Sequence, residues 1–162
     1  LMAKSTNMIT QEVYDIPNSL DDKDSINEFI SRNKGKKIIV VQGLGFVGAV
    51  MSLVCANAIT EEYAVIGIDL ANESAFWKIK SINQGIFPLA AEDPKIDIFF
   101  DNAIQQGNLF ATYDPVAYSY ADVVIVDVNL DVQKKSDETL ALDTFNVDMS
   151  GHRAYCKSFI SN

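Results

Sequence analysis

The chain has 162 residues, a formal net charge of -9, and 48% apolar against 22% charged residues. That is enough for one domain with a real core and excludes extended disorder. No basic cluster exceeds the run from Lys34 to Lys37, which gives no footprint for nucleic acid or an anionic membrane, and no apolar run approaches the roughly 20 residues of a membrane span.

The N-terminus lacks a signal-peptide apolar region, so a cytoplasmic protein is expected, and Leu1 reads as a remnant ahead of a start at Met2. Residues 1–34 are read as an N-terminal extension with a short helix, and residues 35–162 as a partial dinucleotide-binding domain. Residues 1 to 23 are polar and without periodicity. Ser25-Ile26-Asn27-Glu28 then has capping-box spacing, with Ile26, Phe29 and Ile30 on one helical face and Gly35 suited to stop the helix.

The run Lys37 to Gln42 is continuous in β-branched residues, as a strand buried on both faces requires. It ends at Gly43-Leu44-Gly45-Phe46-Val47-Gly48, the G-x-G-x-x-G turn. Gly43 permits the tight exit from the strand, Gly45 leaves room for a pyrophosphate, and Gly48 lets the next helix pack closely. The helix, predicted over Phe46 to Ile59, presents its unpaired N–H groups and dipole to an anion. Cys55 on this helix reads as a small core hydrophobe rather than a reactive thiol.

A second apolar run, Ala64-Val65-Ile66-Gly67-Ile68, ends in Asp69, about 20 residues beyond the last glycine, where a carboxylate can accept both ribose hydroxyls of an adenosine. Strand, turn, helix, strand and acid in this order point to a dinucleotide. Asp69 repels a 2′-phosphate and Leu70-Ala71-Asn72 offers no arginine to receive one, which favours NAD over NADP. An S-adenosylmethionine site also pairs a glycine turn with an acid, but Gly48 at its spacing is better explained by a dinucleotide.

Asn72 is expected to cap a helix carrying Phe76, Ile79 and Ile82 and ending near Gly85, with Trp77 offset and partly exposed. A further helix opens at Asp93-Pro94 and presents Ile96, Phe99, Phe100, Ala103 and Ile104 to the core before Gly107. Leu109 to Tyr113 is the third strand, Asp114-Pro115 restarts a short helical segment through Tyr118, and Val123 to Val128 is the fourth strand. Asn129 to Val147 reads as irregular, followed by a helix from near Asp148 or Ser150 that carries His152 and Cys156 in packing or surface roles. The fold class is α/β, a Rossmann-type parallel sheet with helices on both faces and strand order 3-2-1-4, which reads as truncated because only the first half and the fourth strand of a doubly wound domain are present.

The run from Ile38 to Ala58, the strand ending at Asp69, Asn83 to Pro88, Gln106 to Asp114 and Ala121 to Val126 together resemble the NAD-binding domain of the UDP-glucose/GDP-mannose dehydrogenases. The resemblance implies oxidation of the C6 alcohol of a nucleotide-linked sugar to a carboxylate, with NAD as cofactor. It implies that Gly43, Gly45, Gly48 and the N–H groups of Phe46 and Val47 hold the pyrophosphate, that Asp69 takes the ribose and that Leu70 lies beside the adenine. Leu44 and the strand end Val126, Asp127 and Val128 complete the expected cofactor contacts.

The family's fourth strand commonly ends in a Val-Pro-Thr-Pro-like segment whose threonine positions water; this chain has Val126-Asp127-Val128-Asn129-Leu130-Asp131. Asn129 and Leu130 both remain open at the threonine position, and Asn129 is a candidate active-site contact. The resemblance places the cysteine nucleophile beyond Asn162, so neither Cys55 nor Cys156 fills that role, and this chain alone is expected not to turn over substrate. A nucleotide-sugar substrate and a homo-oligomer are the expected partners, with no bound metal. The competing reading is a stand-alone, non-catalytic NAD-binding or regulatory module.

Overall fold

Four short apolar runs form the four strands around which the chain is ordered. A computed structural model describes residues 1–127, 131–134 and 145–148, and the chain falls into two compact units, Leu1–Asp127 and Val128–Asn162. The first unit opens with an antiparallel pair, β1 (Lys4–Thr6) and β2 (Val13–Asp15), followed by helix α1 (Lys23–Arg32). Strand β3 (Lys37–Gln42), helix α2 (Phe46–Ala56), strand β4 (Tyr63–Ile68), helices α3 (Phe76–Asn83) and α4 (Pro94–Gln106), strand β5 (Leu109–Thr112), a 3-10 helix (Pro115–Tyr120) and strand β6 (Val123–Val126) follow.

The sheet order is β5-β4-β3-β6, all parallel, which is the expected 3-2-1-4. Register puts Val41, Gly67 and Ala111 in one row and Val40, Ile66 and Phe110 in the next. Because side chains alternate across a sheet, one face presents Ile39, Val41, Val65, Leu109 and Ala111. These share a core with Leu53 and Ala56 of α2, Phe76, Ile79 and Ile82 of α3, and Phe100 and Ala103 of α4. On the alternate row Phe110 meets α1, stacking on Phe29 with ring centroids 5.5 Å apart. The β5-to-β6 crossover is only one short 3-10 helix, and α1, with Ile26 and Phe29 fully buried, covers sheet surface that a longer crossover helix would cover.

Several expectations are corrected. Helix α1 starts at Lys23 rather than on a Ser25 capping box: Asp22 holds the N-cap position without a side-chain capping bond, because its carboxylate accepts from the Thr112 hydroxyl at 2.7 Å. Burial pushes the Asp22 carboxyl above its usual range, opposed by that hydrogen bond. The helix stops at Asn33, not Gly35, where the Asn33 amide donates to the carbonyls of Phe29 and Gly107. Asn57 ends α2 three residues early in the same way, donating to Leu53 and Phe99 carbonyls. Ile104 lies outside the α4 core, and Trp77 is buried rather than partly exposed.

The cover over Trp77 comes from the N-terminal segment, read in the sequence as aperiodic. Strand β1 lies against α3, where Ser5, itself buried, donates its hydroxyl to the Glu73 carbonyl at 2.7 Å and accepts the Trp77 N–H at 3.0 Å. With one buried residue in each strand, Ser5 and Tyr14, the hairpin carries too little periodicity to be read from the sequence. Asn83 closes the other side: its side-chain amide donates to the Ala111 carbonyl and accepts the Ala111 N–H, a two-bond bracket on the sheet-end strand β5.

In the second unit, β7 (Asp131–Lys134) pairs antiparallel with β8 (Phe145–Asp148), with Val132 opposite Val147. The segment read as irregular therefore contains two strands, and Asp148 ends a strand instead of opening a helix; Phe145-Asn146-Val147-Asp148 alternates apolar and polar as such a ribbon requires. The final helix, with His152 and Cys156, lies outside the described residues. No helix among the described residues is long and apolar enough to cross a membrane. Replacing Ser5→Ala removes both of its long-range bonds and leaves the Trp77 N–H buried without its acceptor, so urea denaturation is expected to show a loss of about 1 to 3 kcal/mol.

Candidate functional site

Parallel register brings every strand of the sheet to its carboxyl end on the same side, and backbone bonds continue past the strands. Gly43 N–H donates to Ile68 at 2.8 Å, Asp69 N–H to Thr112 at 3.2 Å, and Asp127 N–H to Gln42 at 2.9 Å. Gly43, Asp69 and Asp127 thus stand in a row at one rim. The gap between β3 and β6, where the sheet order reverses direction, is the switch point at which open α/β sheets bind ligands.

The glycine turn is built as the sequence required. Gly43 has φ 97°, which a side chain would strain. A Cβ on Gly48 would lie 1.9 Å from the Gly43 carbonyl oxygen, so helix α2 approaches the turn as closely as glycine alone permits. At Gly45 a Cβ would meet only the Asp127 carboxylate, at 3.7 Å, so no backbone crowds that side of the turn and a single side chain stands there. Gly45 is the N-cap of α2 and supplies no side chain; the first-turn amides of Phe46 and Val47 have no intrahelical acceptor.

Asp69 is joined to this turn. It is 7% exposed, and its Oδ2 accepts the Leu44 N–H while Oδ1 accepts the Leu70 N–H, both at 2.8 Å. The Leu44 side chain turns inward against Gly67, where a Cβ would come within 2.6 Å of it. Leu44 therefore serves the core through its side chain and the site through its amide. The turn and the β4 carboxylate form one piece, an anion-facing helix end beside an acceptor for hydroxyl groups.

Asp127, expected at the site only as a strand-end residue, makes a further contact: its Oδ2 accepts the Gly48 N–H at 2.8 Å. The signal in the sequence was a carboxylate directly after a four-residue apolar strand. Val126 precedes it at the rim with an exposed side chain. Phe46 and Val47 are also more than half exposed on α2, so this helix is not covered all round by the described residues. Cys55 is half-buried and its thiol is pushed above its usual pKa by burial, in keeping with a packing role. Val128 and Asn129, with Leu130, lie outside the described residues.

The two glycines separate fold from ligand access. Gly48→Ala is expected to cost at least about 3 kcal/mol, since backbone must move to admit the methyl group, whereas Gly45→Ala is expected to stay within about 1 kcal/mol of the parent; thermal melting of both variants tests this.

Comparisons with known proteins agree with this geometry. By sequence, no curated protein matches the chain. Among solved structures it is similar to an NDP-N-acetyl-D-galactosaminuronic acid dehydrogenase from Methanosarcina mazei Go1, with TM-score 0.61 and 22% identity over 83% of this chain and 26% of that one. It is also similar to a UDP-D-ManNAc dehydrogenase from Pyrococcus horikoshii, with TM-score 0.53 and 23% identity over 76% of this chain and 25% of that one. At such identities these likenesses establish the Rossmann-like fold, and the chain spans about a quarter of the length of either protein. Residues 36–151 match the model of the UDP-glucose/GDP-mannose dehydrogenase family, NAD binding domain. The chain belongs to the UDP-glucose/GDP-mannose dehydrogenase family, and the cofactor of its domain is NAD.

Proposed function

We propose that this chain supplies the NAD site for the oxidation of a nucleotide-linked sugar, with the C6 primary alcohol taken to a carboxylate. The observation that carries the reading is the Asp69–Leu44 hydrogen bond, which fixes a ribose-binding carboxylate to a glycine turn whose helix cannot accept any side chain at Gly48. NAD, when bound, supplies the hydride acceptor; the residues of this chain bind and orient it.

In this reading the N–H groups of Phe46 and Val47 donate to the pyrophosphate across the open face of Gly45, with Gly43 and Gly48 holding the turn in shape. Asp69 retains free lone pairs on both oxygens and accepts the adenosine ribose hydroxyls, since each oxygen has taken one backbone donor and can accept another. Leu70 lies beside the adenine. Val126 and Asp127 border the nicotinamide side, and Val128 and Asn129 are kept as proposed contacts. The position of Cys55 within α2, half-buried and facing the core, supports assigning the sugar-oxidising nucleophile to other residues of the whole protein.

Calorimetric titration of the chain with NAD tests this. Asp69→Ala is expected to weaken binding by about 1.5 to 3 kcal/mol, roughly ten- to a hundredfold in Kd, and NADP is expected to bind the parent chain more weakly than NAD. Unchanged NAD affinity in Asp69→Ala removes the ribose assignment. A rise in melting temperature with S-adenosylmethionine and none with NAD replaces the dinucleotide reading altogether.

A further inference from the structure

We propose that Asp127 is a built-in competitor for the pyrophosphate, so that the cofactor cradle of this chain is occupied by its own carboxylate until a dinucleotide displaces it. The inference rests on the NAD reading above and concerns one residue that the reading placed at the site without a role. Asp127 is the first residue after β6, and its backbone is held by the bond from its N–H to Gln42. From there its Oδ2 reaches the Gly48 N–H at 2.8 Å and lies 3.7 Å from the position a Cβ on Gly45 would take. That is the open side of the turn, the space that glycine at 45 leaves for a phosphate.

The chemistry of the contact is that of the ligand. A carboxylate oxygen on the Gly48 amide, next along the same first turn to the amides of Phe46 and Val47, satisfies an orphan donor and gains from the same dipole as a phosphate oxygen on those amides does. The two anions cannot share the position: a phosphate placed there meets a like charge at close range in a partly buried rim. Binding therefore requires the Asp127 side chain to rotate out and give up its hydrogen bond. The device discriminates by charge, opposing ligands that carry a pyrophosphate and leaving an uncharged adenosine unaffected at Asp69.

The test compares the 162-residue chain with Asp127→Asn by calorimetric titration against NAD, ADP-ribose and adenosine. Asparagine keeps an oxygen for the Gly48 N–H and removes the charge. NAD and ADP-ribose are expected to bind the variant at least tenfold more tightly, about 1.4 kcal/mol, with adenosine unchanged and with a smaller gain in NAD affinity on raising salt than the parent shows. Asp127→Ala, expected to melt lower because the helix loses its cap, serves as the second variant should the first fail to fold. NAD affinity equal to or below that of the parent, or an equal gain for adenosine, overturns the competitor role while leaving the NAD site standing. Failure of both parent and variant to bind NAD overturns the NAD reading and this inference with it.

Discussion

The close approach of α2 to the end of β3 is the constraint on which the rest of the site depends. With the Gly43 carbonyl 1.9 Å from where a Gly48 Cβ would stand, helix and strand are locked at one separation. That separation sets where the amides of Phe46 and Val47 point, and it leaves Leu44 in a position where its amide can meet Asp69 while its side chain drops onto Gly67. Gly67 lies opposite Val41 in the register, inside the same sheet. The glycines at 43, 48 and 67 thus form a connected set in which each absent side chain makes room for the next group.

Much of this was legible because it is local or periodic. Four short apolar runs predicted four parallel strands in the observed order, and the spacing from Gly43 to Asp69 marked the turn and the acid that the structure joins to it. What escaped the sequence was long-range polar bonding. Ser5 to Trp77, Asp22 to Thr112 and Asn33 to Gly107 each join residues more than seventy positions apart, and each moved a boundary or buried a residue that local pattern left outside. A short hairpin such as β1–β2, with three residues in each strand, carries too few alternations to be seen, and its stability comes from docking on α3 rather than from its own sequence. The same reason explains why β7 and β8, four residues each, read as irregular.

The N-terminal segment also changes what the sheet needs from the rest of the chain. A parallel sheet must be covered on both faces, and here the β5-to-β6 connection is too short to do so. Helix α1 supplies Phe29 against Phe110, and the strap from Asp22 to Thr112 and Asp114 ties it to the carboxyl end of β5. Residues 1–34 are therefore part of the same compact unit as the sheet, and they hold the loop after Asp69 through the Ser5–Glu73 contact. The Asp69 carboxylate is held by the glycine turn through Leu44, and the loop that follows it is held at Glu73 by the hairpin.

Helix α2 shows how a binding requirement and a stability requirement meet in one carboxylate. Glycine at 45 opens the turn to a ligand, but it removes the Ser, Thr, Asp or Asn that caps most helices, and no acid stands in the first turn of α2. The cap is supplied from elsewhere, by Asp127 at the end of β6. A remote cap of this kind ties β6 to α2 across the switch point and satisfies a first-turn amide. It does so with a charge of the same sign as a pyrophosphate, at the amide next to that of Val47. In the proposed competitor role, whatever stability this contact adds to the chain opposes a dinucleotide to the same extent.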